Sequence, residues 1–227
     1  MVRFLKSLPF ALEFAIVAVL AFGPFTVRSL LVASRFVASP YQGHAATGLL
    51  HTVLFEIVIL AILLPFLYVR GWTFAKIGLE PTFKDTGIGV LLFVATYVVW
   101  YFVWAATVLV SPQTAAGIMG SPVITGRVPP AIALAIGLIN PFFEEMLVCG
   151  YVMTALGRDN NQSLAINASV ALRVSYHLYQ GPRGVLSIIP FGLIFSFWYA
   201  RTGRLWPLVV AHTMSDLLAL LMIGSGQ

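Results

Sequence analysis

Three stretches in the C-terminal half place acid–base side chains in apolar surroundings: NPFFEEMLVCGYV (140–152), ALRVSYHLYQG (171–181) and LWPLVVAHTMSDLLAL (205–220). In the first, Glu144 and Glu145 are adjacent, so on a helix they point about 100° apart and cannot share one role. One is expected to face a cavity and the other to pair with a neighbouring helix. Asn140 lies four residues before Glu144, on the same face, where it could orient that carboxylate. Pro141 cannot donate to the carbonyl of Gly137, which predicts a kink one turn before the glutamates and room for water. In the second stretch Arg173 and His177 share a face at i, i+4, and Gly181-Pro182 is expected to end the helix. In the third, His212 and Asp216 share a face at the same spacing. A carboxylate and two imidazoles in a wet pocket can activate water or hold a metal.

The elements that must position these groups are membrane helices. Of 227 residues, 59% are hydrophobic and only 9% are charged. A soluble domain is nearer 45–50% apolar and about 25% charged. Apolar runs long enough to cross about 30 Å of hydrocarbon fall near 10–33, 47–69, 87–110, 129–156, 162–180, 184–200 and 205–224. The predicted fold is all-α, a polytopic transmembrane helix bundle of about seven spans, with eight as the alternative. Residues 1–86 are read as two N-terminal helices and an interfacial loop, and 87–224 as the core that carries the chemistry. The loop 71–87 is expected to put Trp72 and Phe74 at headgroup depth, with Asp85 and Thr86 capping the next helix. The other long connection, 111–130, holds too much Gly and Pro for a straight helix. Arg3 and Lys6 ahead of the first run fit a start-transfer helix better than a cleaved signal.

The net charge of +5 is read as topology and not as nucleic-acid binding. With seven helices, one set of loops carries Arg3, Lys6, Arg70, Lys76, Lys84, Arg158, Arg201 and Arg204; the other carries Arg28, Arg35, Arg127 and Arg183. The positive-inside bias then puts the N-terminus in the cytoplasm and the C-terminus outside, in the cell membrane if the host is bacterial. The single Cys149 excludes an internal disulfide.

An ionisable group in a spanning helix costs about 2.5–3.5 kcal/mol on insertion scales, so each needs a reason. For Glu13, Glu56 and His51, which stand apart from the three stretches, the reading is hydrogen-bonded glue between helices. His44 is read as a loop histidine, and the aromatics of WYFVW (100–104) as packing or belt residues. At 1.5 Å per residue, Glu144 lies about 18 Å deep, His177 about 21 Å and His212 about 10 Å. Three separate helices thus supply groups to one interior layer.

The three stretches resemble the motifs of the CPBP family, the CAAX prenyl endopeptidases and the bacteriocin-processing or Abi proteins. That family's pattern is E-E-x-x-x-R, F-x-x-x-H and H-x-x-x-N or a similar final residue, and here it stands as EEMLVC (144–149), RVSYH (173–177) and HTMSD (212–216). FWYARTGRLWPLVVAH and KIGLEP (76–81) are similar too, and the likeness covers roughly 76–220. The resemblance implies an intramembrane endopeptidase acting on a peptide or membrane-protein substrate. Glu144 then matches the general base with His177 beside it, His212 and Asp216 match the pair supporting the oxyanion, and Glu145 matches a structural second glutamate. Three positions depart from the pattern: Cys149 replaces arginine, Arg173 replaces phenylalanine, and Asp216 replaces asparagine. The first two are expected to offset each other, with Arg173 reaching across to Glu145 or Glu144. An ionised Asp216 cannot donate to an oxyanion, so it would act through His212 or be protonated.

The family has often been called metalloprotease, and a zinc ion, if present, would take Glu144, His177 and His212. The chain has no HExxH and no two histidines at i, i+4 on one helix, so a glutamate-activated water without a metal is the favoured reading. Two readings of other classes stand beside it: a catalytically silent membrane scaffold or immunity protein, and a small transporter, against which the lack of an inverted repeat argues.

Overall fold

The computed structural model describes residues 2–39, 41–119, 124–157 and 161–225. Their regular structure is all helical, with no strand among them. A short α1 (Val2–Lys6) precedes α2 (Phe10–Ala33) and α3 (Ala45–Val69). After a 3-10 turn at Ala75–Ile77 come the long α4 (Phe83–Val110) and the short α5 (Pro112–Met119). α6 (Pro130–Glu145) runs on through a π-helical segment, Met146–Met153, into a last turn, α7 (Thr154–Leu156). α8 (Gln162–His177), α9 (Gly181–Thr202) and α10 (Trp206–Ser225) complete the chain. Each of the seven predicted runs falls on one of these helices.

Length and composition alone qualify five helical stretches as able to cross a membrane: Phe10–Ala33, Ala45–Val69, Phe83–Val110, Pro130–Leu156 and Gln162–Thr202. The last of these, 41 residues, is not one rod. It breaks at a 3-10 turn, Leu178–Gln180, and Gly181 takes φ 64°. The halves fold back on each other, so that Ser196 donates to Ser169 at 2.9 Å. The predicted stop at Gly181-Pro182 is therefore displaced: α8 ends at His177, and Gly181 and Pro182 open α9. Proline suits a first turn, where its missing N–H has no partner to lose.

The connections gather at two ends. At the first, Arg70 donates to the carbonyls of Leu5, Lys6 and Leu8, Leu205 N–H donates to the Gly78 carbonyl at 2.8 Å, and Arg204 pairs with Asp85. At the second, Thr125 N–H donates to the Tyr41 carbonyl at 2.9 Å, and Tyr179 N–H donates to the Ser29 hydroxyl at 2.8 Å. The long helices pass between these ends in alternation. Their outward faces are apolar, with Val19, Leu54, Leu91, Tyr101, Phe102 and Leu109 all exposed. In water such a surface would drive aggregation, and in lipid it is solvated. The chain is an integral membrane protein.

The 71–87 connection differs from its predicted form. Trp72 is buried inside the bundle and donates to Glu13 at 2.8 Å, while Phe74 is exposed. α4 starts at Phe83, and its cap is Thr82, whose hydroxyl accepts from Asp85 N–H at 3.0 Å. Arg158, counted among the basic residues of the first end, lies outside the described residues, as does part of the 111–130 connection.

Candidate active site

The sequence of α6 builds the site's floor. Pro129 and Pro130 set its start, and the helix runs without interruption through Pro141 to the glutamates. After the glutamates the backbone bonding widens to the π pattern over Met146–Met153, and all eight of these residues are buried. Such segments are rare, accommodate an extra residue, and recur at functional sites. Here the widened segment is pressed against the cap of the first end. A Cβ on Gly150 would meet Leu205 at 3.1 Å and Ile77 at 3.2 Å.

The two glutamates divide as their 100° offset requires. Glu145 is 0% exposed. One of its oxygens accepts from Arg173 Nη2 at 2.6 Å and the other from His212 Nδ1 at 2.8 Å. Glu144 is buried against a cavity wall; its Oε1 accepts from Asn140 Nδ2 at 3.2 Å and its Oε2 from the Tyr176 hydroxyl at 2.7 Å. Arg173 Nη1 also lies 3.6 Å from Glu144 Oε2. Arg173 thus crosses from α8 to both carboxylates, and its Nη2 lies 3.4 Å from the Cys149 sulfur. The guanidinium occupies the neighbourhood of the position where the resembled motif carries its own arginine.

The imidazoles are fixed by their Nδ1 atoms. His177 Nδ1 lies 2.9 Å from the Arg173 carbonyl. A carbonyl only accepts, so Nδ1 carries a proton and, in the neutral ring, Nε2 keeps its lone pair. His212 Nδ1 donates likewise to Glu145, and its Nε2 lies 3.6 Å from Asp216 Oδ1. Phe191 packs edge-on against the His212 ring, with centroids 5.0 Å apart.

These groups line a cavity of about 820 Å³. Glu144, His177, His212, Asp216, Asn140 and Arg173 all contribute to its wall. The structure therefore brings together every candidate from the three stretches except Glu145, which sits just behind the wall and braces Arg173 and His212. His177 shares the cavity and is held by the backbone at Arg173. Tyr41, Ile124, Tyr179, Gln180 and Arg183 also line the cavity, so it reaches the second end of the bundle.

Three contributors escaped the sequence reading. Tyr176, next to His177, looks like a packing aromatic, and its role follows from the way α8 meets α6. Trp100 lines the cavity and donates to the Ser187 hydroxyl at 2.9 Å. Glu56 lines it as well, with Oε1 accepting from Asn140 Nδ2 at 2.7 Å. Glu13, by contrast, is the helix glue expected of it, held by Arg70, Trp72 and Tyr151. His51 faces outward.

Zinc finds no ready cage here. Among the described residues, no three His, Cys, Asp or Glu side chains converge on a point where an ion could sit. Both Glu144 oxygens are engaged by Asn140 and Tyr176, and His212 Nδ1 is engaged by Glu145.

Residues 126–218, which carry most of this geometry, match the family model for Type II CAAX prenyl endopeptidase Rce1-like. This stretch, 93 of the 227 residues, is similar to Rce1-like domains. No curated protein and no solved structure matches the chain. The Rce1-like family is a family of membrane proteases, and the match takes in Asn140, Glu144, Glu145, Arg173, Tyr176, His177, His212 and Asp216. It leaves out α3, and with it Glu56.

Proposed function

We propose that the protein is an intramembrane endopeptidase in which Glu144 activates the hydrolytic water. The observation that carries this reading is the single cavity on which Glu144, His177 and His212 converge from three helices. A water beside Glu144 gives it a proton while its oxygen attacks the scissile carbonyl carbon. The free Nε2 of His177 orients that water. The oxyanion that forms needs donors aimed at it. His212, clamped between Glu145 and Asp216, carries positive charge when protonated and supplies one through Nε2–H. When the carbon–nitrogen bond breaks, the proton on Glu144 passes to the departing amine. No step of this sequence calls for a metal.

Asp216 acts through His212, since an ionised carboxylate cannot donate to an oxyanion. The substrate is a peptide or a membrane protein that reaches the cavity from the second end. The basic loops of the first end support a cytoplasmic side for that end and for the N-terminus. The C-terminus then lies outside.

The test compares protein N-termini in membranes of host cells producing the wild type or Glu144→Gln at matched levels. Peptide ends found only with the wild type are expected, and they identify the substrate. Identical N-termini, with the variant still restoring the phenotype of a deletion strain, would instead make the protein a catalytically silent scaffold or immunity protein.

A further inference from the structure

Glu56 stands 84 residues before Asn140, on a helix that the family match does not cover. It is 0% exposed, yet it is not spent as glue. Glu13 shows what glue looks like: Arg70, Trp72 and Tyr151 all donate to it. Glu56 has one such donor, Asn140, while its Oε2 is buried without a hydrogen-bond partner among the described residues. The side chain lines the cavity that Glu144 lines.

The Asn140 amide nitrogen has two hydrogens, and two carboxyl oxygens receive them: Glu56 Oε1 at 2.7 Å and Glu144 Oε1 at 3.2 Å. An amide can rotate and present its oxygen where its nitrogen was. Set between two acceptors, it cannot do so without losing both bonds and facing oxygen with oxygen. The shorter, firmer bond is the one to Glu56.

We propose that Glu56 is a positioning residue for hydrolysis: it locks the Asn140 amide so that its second hydrogen stays on Glu144 Oε1 and fixes the direction of that carboxylate toward the cavity. The inference rests on the reading of Glu144 as the base. It makes α3 part of the working site, although only α6, α8 and α10 carry the three sequence stretches.

The test follows the initial rate at which the wild-type-only N-termini appear in membranes of cells producing the wild type, Glu56→Leu, Glu56→Gln, Asn140→Ala or the Glu56→Leu/Asn140→Ala double variant. Rates are normalised to folded protein by thermal melting in detergent. Glu56→Leu is expected to lower the rate about tenfold, the worth of one buried hydrogen bond. Glu56→Gln keeps an acceptor for Asn140 and is expected to restore the rate to within about threefold, less than the loss of that bond. Asn140→Ala should match Glu56→Leu, and the double variant should be no slower than either, because one chain of contacts is broken in each case. A merely structural role would move the melting temperature and would not give this non-additive pattern. Glu56→Leu at the wild-type rate, Glu56→Gln as slow as Glu56→Leu, or losses that multiply in the double variant would each overturn the proposal. If Glu144→Gln leaves the N-termini unchanged, the protease reading itself falls and takes this one with it. If Glu144→Gln abolishes the wild-type-only N-termini while Glu56→Leu works at full rate, only the role of Glu56 is lost.

Discussion

Arg173, 1% exposed, is the cation that makes two adjacent carboxylates tolerable inside the bundle. Removing it in Arg173→Ala leaves Glu145 buried with His212 as its remaining partner. Stranding a buried charge in this way costs about 3–5 kcal/mol, so a marked fall in melting temperature and in the yield of folded protein is expected. Because Arg173 Nη2 already touches Cys149 Sγ, a guanidinium brought in from position 149 should fill the same space. The Arg173→Phe/Cys149→Arg double variant is therefore expected to recover most of that stability, and a melting temperature no better than that of Arg173→Ala would refute the exchange. This pairing was legible through the family resemblance: buried Glu145 needs a cation, and Cys149, standing where the resembled motif has arginine, offers none. The Tyr176 bond to Glu144 was not. One residue away from His177, it points about 100° from that face, and only the packing of α8 on α6 decides what it meets. Glu56 was hidden for a related reason: neither its helix nor its spacing ties it to Asn140.

At the scale of elements, the seven apolar runs were legible to within a few residues, because hydropathy reports directly on lipid-facing surface. Helix ends were not, since they depend on caps and close approaches that hydropathy ignores. The α8–α9 turn and the start of α4 both show this. Hydropathy is equally silent about the π segment, whose Gly150 lies close against Ile77 and Leu205. Close approach also gives a test. A Cβ on Gly89 would lie 2.6 Å from Val210 Cβ and 2.8 Å from the Pro207 carbonyl oxygen, so α4 and α10 meet there nearly backbone to backbone. Two residues earlier, Gly87 has nothing within 4 Å. Gly89→Ala is expected to destabilise by about 1–3 kcal/mol through overpacking. Gly87→Ala should be neutral or stabilising by up to about 1 kcal/mol, the helix propensity gained. Thermal melts of the two variants side by side check both, and equal melting temperatures would contradict the packing described for α4 and α10.

For the whole molecule, the two ends differ in charge and in access: the first is the more basic, and the cavity reaches the second. If the first end faces the cytoplasm, a membrane-impermeant maleimide should label Gln42→Cys in intact cells and Ala75→Cys only after permeabilisation. The reverse pattern would invert the orientation and the side from which substrate arrives. Such mapping usually begins by removing native thiols, and each removal risks the fold being mapped. Here the chain has one thiol, Cys149, which is 0% exposed and lies beside the Arg173 guanidinium behind the cavity wall. For a reagent confined to water or to the lipid face, the native protein is already a blank background. A single cysteine placed anywhere on its surface becomes a reporter in an otherwise unaltered protein, with the arginine–glutamate–histidine cluster left intact.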